Sequence, residues 1–161
     1  MSGWRAMRPD DLPAVVAIAD DVHGVFTEPL AVYAERLALY PAGCRVFERD
    51  GAVVGLLVTH PWHDGAVPKI GAMLGALPDP ADSYYLHDIA LLPAARGSGA
   101  GAQAVAFVVD QAARAGCRDI RLVAVHGADS YWATQGFAYV DADADGPYGP
   151  GSYLMRRDVA A

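Results

Sequence analysis

The segment 96–101, Arg-Gly-Ser-Gly-Ala-Gly, has the residue types and spacing of a phosphate-binding turn. It follows a mostly apolar stretch at 83–92 that predicts a strand, and it precedes residues 103–115, whose apolar side chains recur at helical spacing. Glycines let a ligand approach the main chain, and the first N–H groups of a helix attract an anion. The segment therefore predicts a phosphate site. The alternative is a glycine-rich turn that only lets the helix pack closely on the strand.

Two common nucleotide-binding motifs fit this segment poorly. A nucleotide-triphosphate loop needs Lys-Ser or Lys-Thr after its last glycine, whereas Gly101 is followed by Ala-Gln. Residues 97–102 match the dinucleotide pattern G-x-G-x-x-A, but the next strand of that fold should end in an acidic residue for the ribose. Here the next strand ends in Val-His at 125–126, so we discount both motifs.

Composition narrows the class of protein. The chain has 161 residues, of which 53% are apolar, and this predicts one domain that spans 1–161. No apolar run approaches the roughly 18 residues of a membrane span, and the N-terminus has no apolar stretch of signal-peptide type. We therefore expect a cytoplasmic protein without a membrane partner. The net charge of -7 argues against nucleic acid and is more compatible with a cationic small molecule.

The cysteines and histidines do not have the spacing of a metal site. Cys44 and Cys117 each stand beside a predicted strand, which favours buried free thiols over a disulfide. His60 and His63 lie three residues apart, but Pro61 between them argues against a shared helix face. We expect no bound metal.

The predicted elements follow each other as β-α-α-β-β-β-α-β-α-β-β, which indicates a mixed α/β fold. A hairpin turn is expected at Asp50-Gly51, because Asp-Gly stands there between two apolar runs. The proline- and glycine-rich residues 61–82 predict a long connection with a short helical piece at 70–77. Strands are expected at 4–7, 44–48, 52–59, 83–92, 120–125, 137–140 and 152–156, with helices beginning near 10 and 28 and spanning 99–115 and 128–135.

Three motifs together resemble the GNAT superfamily of acyl-CoA-dependent N-acetyltransferases. Residues 96–101 match its pyrophosphate-binding signature, Q/R-x-x-G-x-G/A. Residues 86–93 are similar to its fourth strand, and residues 131–137 are similar to a later helix that ends in Gly-Phe. The resemblance covers nearly the whole chain. It implies a mixed central sheet of about six or seven strands with helices on both faces, acetyl-CoA as co-substrate, and acetyl transfer to a primary amine of a small molecule. A homodimer is a further expectation, because relatives often dimerise.

The resemblance also implies where the co-substrate binds. In this family the fourth and fifth strands splay apart, and the pantetheine arm pairs with the main chain of the fourth strand. Backbone N–H groups there can polarise the thioester carbonyl. The cofactor-binding residues expected in this way are Ile89, Ala90, Leu91, Arg96, Gly97, Ser98, Gly99, Ala100, Gly101, Ala102 and Trp132.

His87 is the candidate general base. An alkylamine with a pKa near 10.4 is roughly one part in a few thousand free base at pH 7, so a nearby proton acceptor helps. We expect His87 on one strand face with Tyr85 and Ile89. Asp88 should then point to the opposite face. Arylalkylamine N-acetyltransferases have a histidine at the corresponding position, and the chain loosely resembles that branch. The alternative is a core histidine bonded to the main chain.

The usual general acid is missing. Members of the family commonly have a tyrosine four residues before the Gly of Gly-Phe, and Trp132 stands at that position. Tyr131 is rotated from it by about 100° and is expected in the core. Water, Tyr148 or Tyr153 could protonate the departing thiolate instead. Because this tyrosine is absent, a second function stays open: a sensor or regulatory module that binds acyl-CoA without catalysis.

The acceptor pocket should form between the connection of the first two helices and the loop after the hairpin. Phe26, His60 and Trp62 are the candidate substrate-binding residues there. Aromatic side chains would suit an apolar or arylalkyl amine, partly through cation–π contacts. Ordinary packing is the alternative, and it is the favoured interpretation for Phe26 taken alone.

Overall fold

Seven strands form one sheet in the computed structural model, which describes residues 2–63 and 67–160. The strands are β1 (Ser2–Ala6), β2 (Cys44–Arg49), β3 (Ala52–Trp62), β4 (Ser83–Leu91), β5 (Asp119–Ala124), β6 (Ala138–Tyr139) and β7 (Tyr153–Asp158). The α-helices are α1 (Leu12–His23), α2 (Leu30–Leu39), α3 (Ala100–Arg114) and α4 (Asp129–Thr134). The predicted succession of elements and the mixed α/β class are confirmed.

The strand order across the sheet is β1-β2-β3-β4-β5-β7-β6. Neighbouring strands are antiparallel except β4 and β5, which run parallel. Such a parallel pair needs a long crossover connection, which is usually a helix, and here it contains α3. The expected mixed sheet of about six or seven strands is therefore present, with seven strands.

Helices cover both faces of the sheet, as expected. Leu56 of β3 packs with Val15 of α1 in one apolar core, whereas its neighbour Leu57 packs with Val108 of α3 and Trp132 of α4 in another. Successive strand residues point to opposite faces, so these two cores lie on the two sides of the sheet.

The connection between β3 and β4 lies against α2 and contains no helix in its described part, residues 67–82. The helical piece predicted at 70–77 is wrong, because Gly71 and Gly75 adopt left-handed φ values of 79° and 77°. The carboxylate of Glu35 in α2 instead accepts the N–H groups of Leu74 (2.6 Å) and Gly75 (3.0 Å). Residues 64–66 of the predicted connection lie outside the described residues.

Cys44 and Cys117 are buried free thiols, as predicted. Burial raises the pKa of Cys44 to about 12 and that of Cys117 to about 11. Among the helices of residues 2–63 and 67–160, none is both long and apolar enough to span a membrane.

Candidate active site

The sheet opens where β4 and β5 diverge. The two strands pair only over residues 83–85 and 119–121. Beyond these residues β4 remains paired with β3 and β5 with β7, so a gap separates them. A cavity of about 740 Å³ occupies this gap. The first turn of α3 lines one end of it, and the connection between α1 and α2 lines the other.

The glycine-rich turn lies at the α3 end of the cavity. Gly97 and Gly99 adopt left-handed φ values of 75° and 80°, and α3 begins directly after Gly99. No described side chain caps this helix, so the N–H groups of residues 100–102, which line the cavity, keep no helical partner. Ser98 differs from its neighbours because it does not line the cavity. Its Oγ instead donates to the carbonyl of Ala95 (2.5 Å) and stabilises the turn.

Residues 89–91 of β4 form one wall of the cavity. On one side their main chain pairs with residues 55–57 of β3. On the other side, no strand of the described chain pairs with them. This edge can accept an extended ligand as an additional strand.

A β-bulge in β4 turns the side chains of both His87 and Asp88 toward the side of the sheet that α1 and α2 cover. The register between β3 and β4 shifts by one residue there, which leaves His87 as the extra residue. The prediction that Asp88 points to the opposite face is wrong, because the bulge interrupts the alternation of side chains. Ile89, expected beside His87, packs in the core under α3 for the same reason.

His87 forms a buried pair with Glu28, which lies between α1 and α2. Its Nε2 is 2.6 Å from Oε1 of Glu28, and the exposed fractions of the two side chains are 1% and 6%. Burial by itself would raise the pKa of Glu28, but the contact with His87 and the N–H of Gly71 (2.7 Å) lower it. Glu28 is therefore ionised and can only accept, so Nε2 of His87 must carry the hydrogen. In the neutral ring the lone pair then lies on Nδ1, a buried atom that has no partner among the described residues.

His23 and Asp88 form a second imidazole–carboxylate pair beside the first. Nε2 of His23, the last residue of α1, bonds Oδ1 of Asp88, and the hydroxyl of Tyr33 donates to Oδ2 (2.7 Å). Burial lowers the pKa of His23, but the hydrogen bond and charge of Asp88 and the charge of Glu28 outweigh it and raise the pKa overall. His23 lines the cavity and keeps 17% of its side chain exposed.

Aromatic side chains surround the cavity near these pairs. The ring of Phe26 lies 5.3 Å from that of His126 and 5.9 Å from that of Tyr148, and all three residues line the cavity. The hydroxyl of Tyr148 is 3.1 Å from that of Tyr85. Tyr153, in contrast, packs against Tyr139 and is not part of the cavity wall.

The other two predicted acceptor residues lie away from this cavity. His60 is buried behind His87, with ring centroids 6.4 Å apart, and its Nδ1 bonds the carbonyl of Pro61 (2.9 Å). Burial lowers its pKa to about 3, so His60 is neutral. Trp62 lines a separate cavity of about 300 Å³, together with Tyr85.

Trp132 is buried and Tyr131 is exposed, although the sequence predicts Tyr131 in the core. Trp132 is buried against Phe137, with ring centroids 5.5 Å apart, and still lines the cavity. Tyr131 is 42% exposed, so its predicted core position is wrong. The short helix α4 buries only one side, which Trp132 occupies. The hydroxyl of Tyr131 lies over Gly101 in the first turn of α3, in the space where a side chain at that position would be.

Sequence reasoning missed Glu28 and His23 as site residues. The only signal for Glu28 was its place at the start of α2, where an acidic residue favours the helix dipole. His23 ends an ordinary amphipathic helix. The partner of Glu28 is His87, 59 residues further along the chain, and the partner of His23 is Asp88, 65 residues further along; both partners lie on β4.

Residues 12–137 match the profile of the acetyltransferase (GNAT) family, and the chain belongs to that family. No curated protein matches the sequence significantly. The predicted superfamily is thus confirmed by the profile.

Solved structures share the fold at low sequence identity. The loading GNATL domain of CurA from Lyngbya majuscula has a TM-score of 0.80 at 13% identity, with 99% of this chain and 98% of that chain covered. Arabidopsis thaliana Naa50 in complex with the bisubstrate analogue CoA-Ac-MVNAL has a TM-score of 0.72 at 15% identity, with 97% of each chain covered. The GphF GNAT-like decarboxylase in complex with isobutyryl-CoA has a TM-score of 0.73 at 19% identity, with 98% and 99% covered.

The cavity fits the acetyl-CoA of this family. It combines uncapped N–H groups at the α3 end with an open strand edge at residues 89–91, which match a pyrophosphate and an extended amide-containing arm respectively. All the predicted cofactor-binding residues except Ser98 line it. Across 2–63 and 67–160, no group of three or more His, Cys, Asp or Glu side chains is arranged to hold a metal ion.

Proposed function

We propose that this protein transfers an acetyl group from acetyl-CoA to a primary amine of a small molecule, with His87 as general base. The observation that carries the proposal is the buried His87–Glu28 pair. It fixes the imidazole in the tautomer whose Nδ1 can take a proton, beside the strand edge suited to the thioester arm.

The residues of the cavity fall into three groups, and each group has a different role in the proposed reaction. Residues 97 and 99–102 would bind the pyrophosphate through main-chain N–H groups, with the exposed Arg96 beside them. The main chain of 89–91 would align the thioester arm and polarise its carbonyl. His87 would take the proton of the attacking amine directly or through one water molecule.

A small acceptor is supported by the enclosure of the cavity near His87. Phe26 and Tyr148 pack against each other there, and the connection between β3 and β4 is held by Glu28, which precedes α2, and by Glu35 of α2. Ile70 of this connection is also part of the cavity wall. Phe26 offers an aromatic contact to the amine.

A second candidate function is acyl-CoA binding without catalysis, which Trp132 favours because an indole cannot replace the usual acid. One thiol-release assay separates the two. Purified protein is given acetyl-CoA and a panel of small primary amines and N-terminal peptides, while acetyl-CoA binding is measured by calorimetry. We expect turnover with small amines. Binding without turnover on any acceptor would support the sensor, and turnover on peptides alone would contradict the small-molecule acceptor.

A further inference from the structure

We propose that His23 is the general acid that protonates the departing thiolate. This assignment rests on the proposed acetyl transfer and extends it to the step that the sequence leaves without a residue.

His23 lies at the point where the cavity passes between the two diverging strands. Its ring bonds Asp88 on β4, and its main-chain carbonyl lies 3.1 Å from Nε2 of His126, which follows β5. The end of α1 therefore contacts both sides of the gap. Asp88 directly precedes residues 89–91, which would align the thioester arm, so His23 stands beside the expected position of the sulfur.

Both histidines line the cavity, but the side chain of His23 is the more exposed of the two. It is 17% exposed, against 1% for His87. In the imidazolium form, Nε2–H donates to Asp88, and Nδ1–H makes no hydrogen bond to any described residue. That second hydrogen is free for transfer.

The groups packed around His23 favour its charged form. Asp88 faces it from β4 and is itself held by Tyr33 of α2, while the charge of Glu28 acts from the connection between α1 and α2. His126, on the far side of the gap, bonds its main-chain carbonyl. The resulting rise brings the pKa of His23 closer to that of a thiol, which is ordinarily about 8.5. Tyr148, which shares the cavity, has its pKa raised to about 12 by burial and is a poorer match.

With these two histidines, one proton is taken from the amine and one is given to the sulfur, so the reaction balances. The amine nitrogen forms a bond to the carbonyl carbon, the carbon–sulfur bond breaks, and its electron pair stays on sulfur. His87 takes the proton that leaves the nitrogen, and His23 gives its Nδ1 proton to sulfur. The products are the amide and the free thiol. Exchange with solvent returns His87 to the neutral form and His23 to the charged form.

The test is the pH dependence of kcat for wild type and His23→Gln, at saturating acetyl-CoA and amine. Glutamine can still donate to Asp88 but cannot give up a proton. We expect kcat to fall by about 10²-fold or more. The alkaline limb of the profile should disappear, the acidic limb should remain, and the Kd for acetyl-CoA should be unchanged. Asp88→Asn is the second variant, and it should move the alkaline limb to lower pH because the carboxylate no longer stabilises the imidazolium.

Several results would overturn the assignment of His23. An unchanged alkaline limb in His23→Gln, in protein whose circular dichroism matches wild type, would do so. Loss of the acidic limb instead would make His23 the base. If wild type transfers acetyl groups and both variants keep its profile, only the assignment of His23 fails. If wild type turns over no amine, acetyl transfer itself is wrong and the assignment falls with it.

Discussion

The imidazole of His87 and the carboxylate of Glu28, 59 residues apart in the chain, are joined by a buried hydrogen bond of 2.6 Å. Glu28 also accepts the N–H of Gly71 at 2.7 Å, so one carboxylate fixes both the histidine and the connection that closes the cavity. Because the ionised carboxylate can only accept, the pair determines which nitrogen of the neutral His87 ring carries the hydrogen.

Replacing this carboxylate should remove the catalytic tautomer. In Glu28→Gln the amide can donate to Nε2, which moves the ring hydrogen to Nδ1 and leaves no proton acceptor at the cavity. We expect kcat to fall by about 10²-fold or more, with the Kd for acetyl-CoA unchanged. Nitrogen NMR of labelled histidine should report the change of tautomer directly.

Glu35→Gln is the matched control for this variant. Glu35 holds the same connection through Leu74 and Gly75 but does not contact His87. Its kcat should stay within about threefold of wild type. An equal loss in both variants would attribute the effect to the position of the connection rather than to the tautomer.

Crowding the first turn of α3 should weaken binding of acetyl-CoA. A methyl group at Gly101 would occupy the space of the Tyr131 hydroxyl and force that ring toward the pyrophosphate site. We expect Gly101→Ala to raise the Kd about tenfold, which corresponds to about 1.4 kcal/mol, by calorimetry. The double variant Gly101→Ala with Tyr131→Phe should recover most of the affinity. No recovery would mean that the Tyr131 hydroxyl is not the obstacle.

Phe26 should contribute to binding of the amine and not of acetyl-CoA. Its ring lies beside Tyr148 and His126 at the end of the cavity away from α3. We expect Phe26→Ala to raise the KM for the amine about tenfold and to leave that for acetyl-CoA unchanged. Val25→Ala is the control, because Val25 is 84% exposed and not part of the cavity wall. A similar rise in both KM values would place Phe26 outside the acceptor site.

The buried Asp119 should make the stability of the fold sensitive to acid. Burial alone would raise its pKa, but hydrogen bonds from Ser83 (2.5 Å) and Arg121 (3.3 Å) and the charge of Arg156 lower it. The stabilisation is therefore complete above the ordinary aspartate pKa of 3.8 and is lost as the pH falls through the lowered value. Asp119→Asn should lower the free energy of unfolding by about 3 kcal/mol at pH 7.

Urea unfolding at several pH values checks this prediction. The difference in free energy between wild type and Asp119→Asn should shrink as the pH is lowered below 4. A difference that stays constant from pH 7 to pH 3 would show that the charge of Asp119 does not contribute.

Local pattern was enough to predict the strand, glycine turn and helix from 83 to 115, because each element there depends on its neighbours in the chain. The orientation of Asp88 was not predictable, since it depends on a bulge formed with β3. The His87–Glu28 pair depends on where the connection after α1 folds over β4, which no local pattern encodes. Tyr131 was misplaced because a six-residue helix buries one narrow side, and the choice of side is set by tertiary packing.

The most direct test of acetyl transfer with His87 as base is the pH profile of kcat/KM for wild type and His87→Ala with an active small amine. We expect the substitution to lower kcat/KM by about 10²-fold or more and to remove the acidic limb. His63→Ala, at a histidine that stacks on Trp62 outside the cavity, should keep the wild-type profile. A folded His87→Ala protein with an unchanged rate and acidic limb would contradict the account.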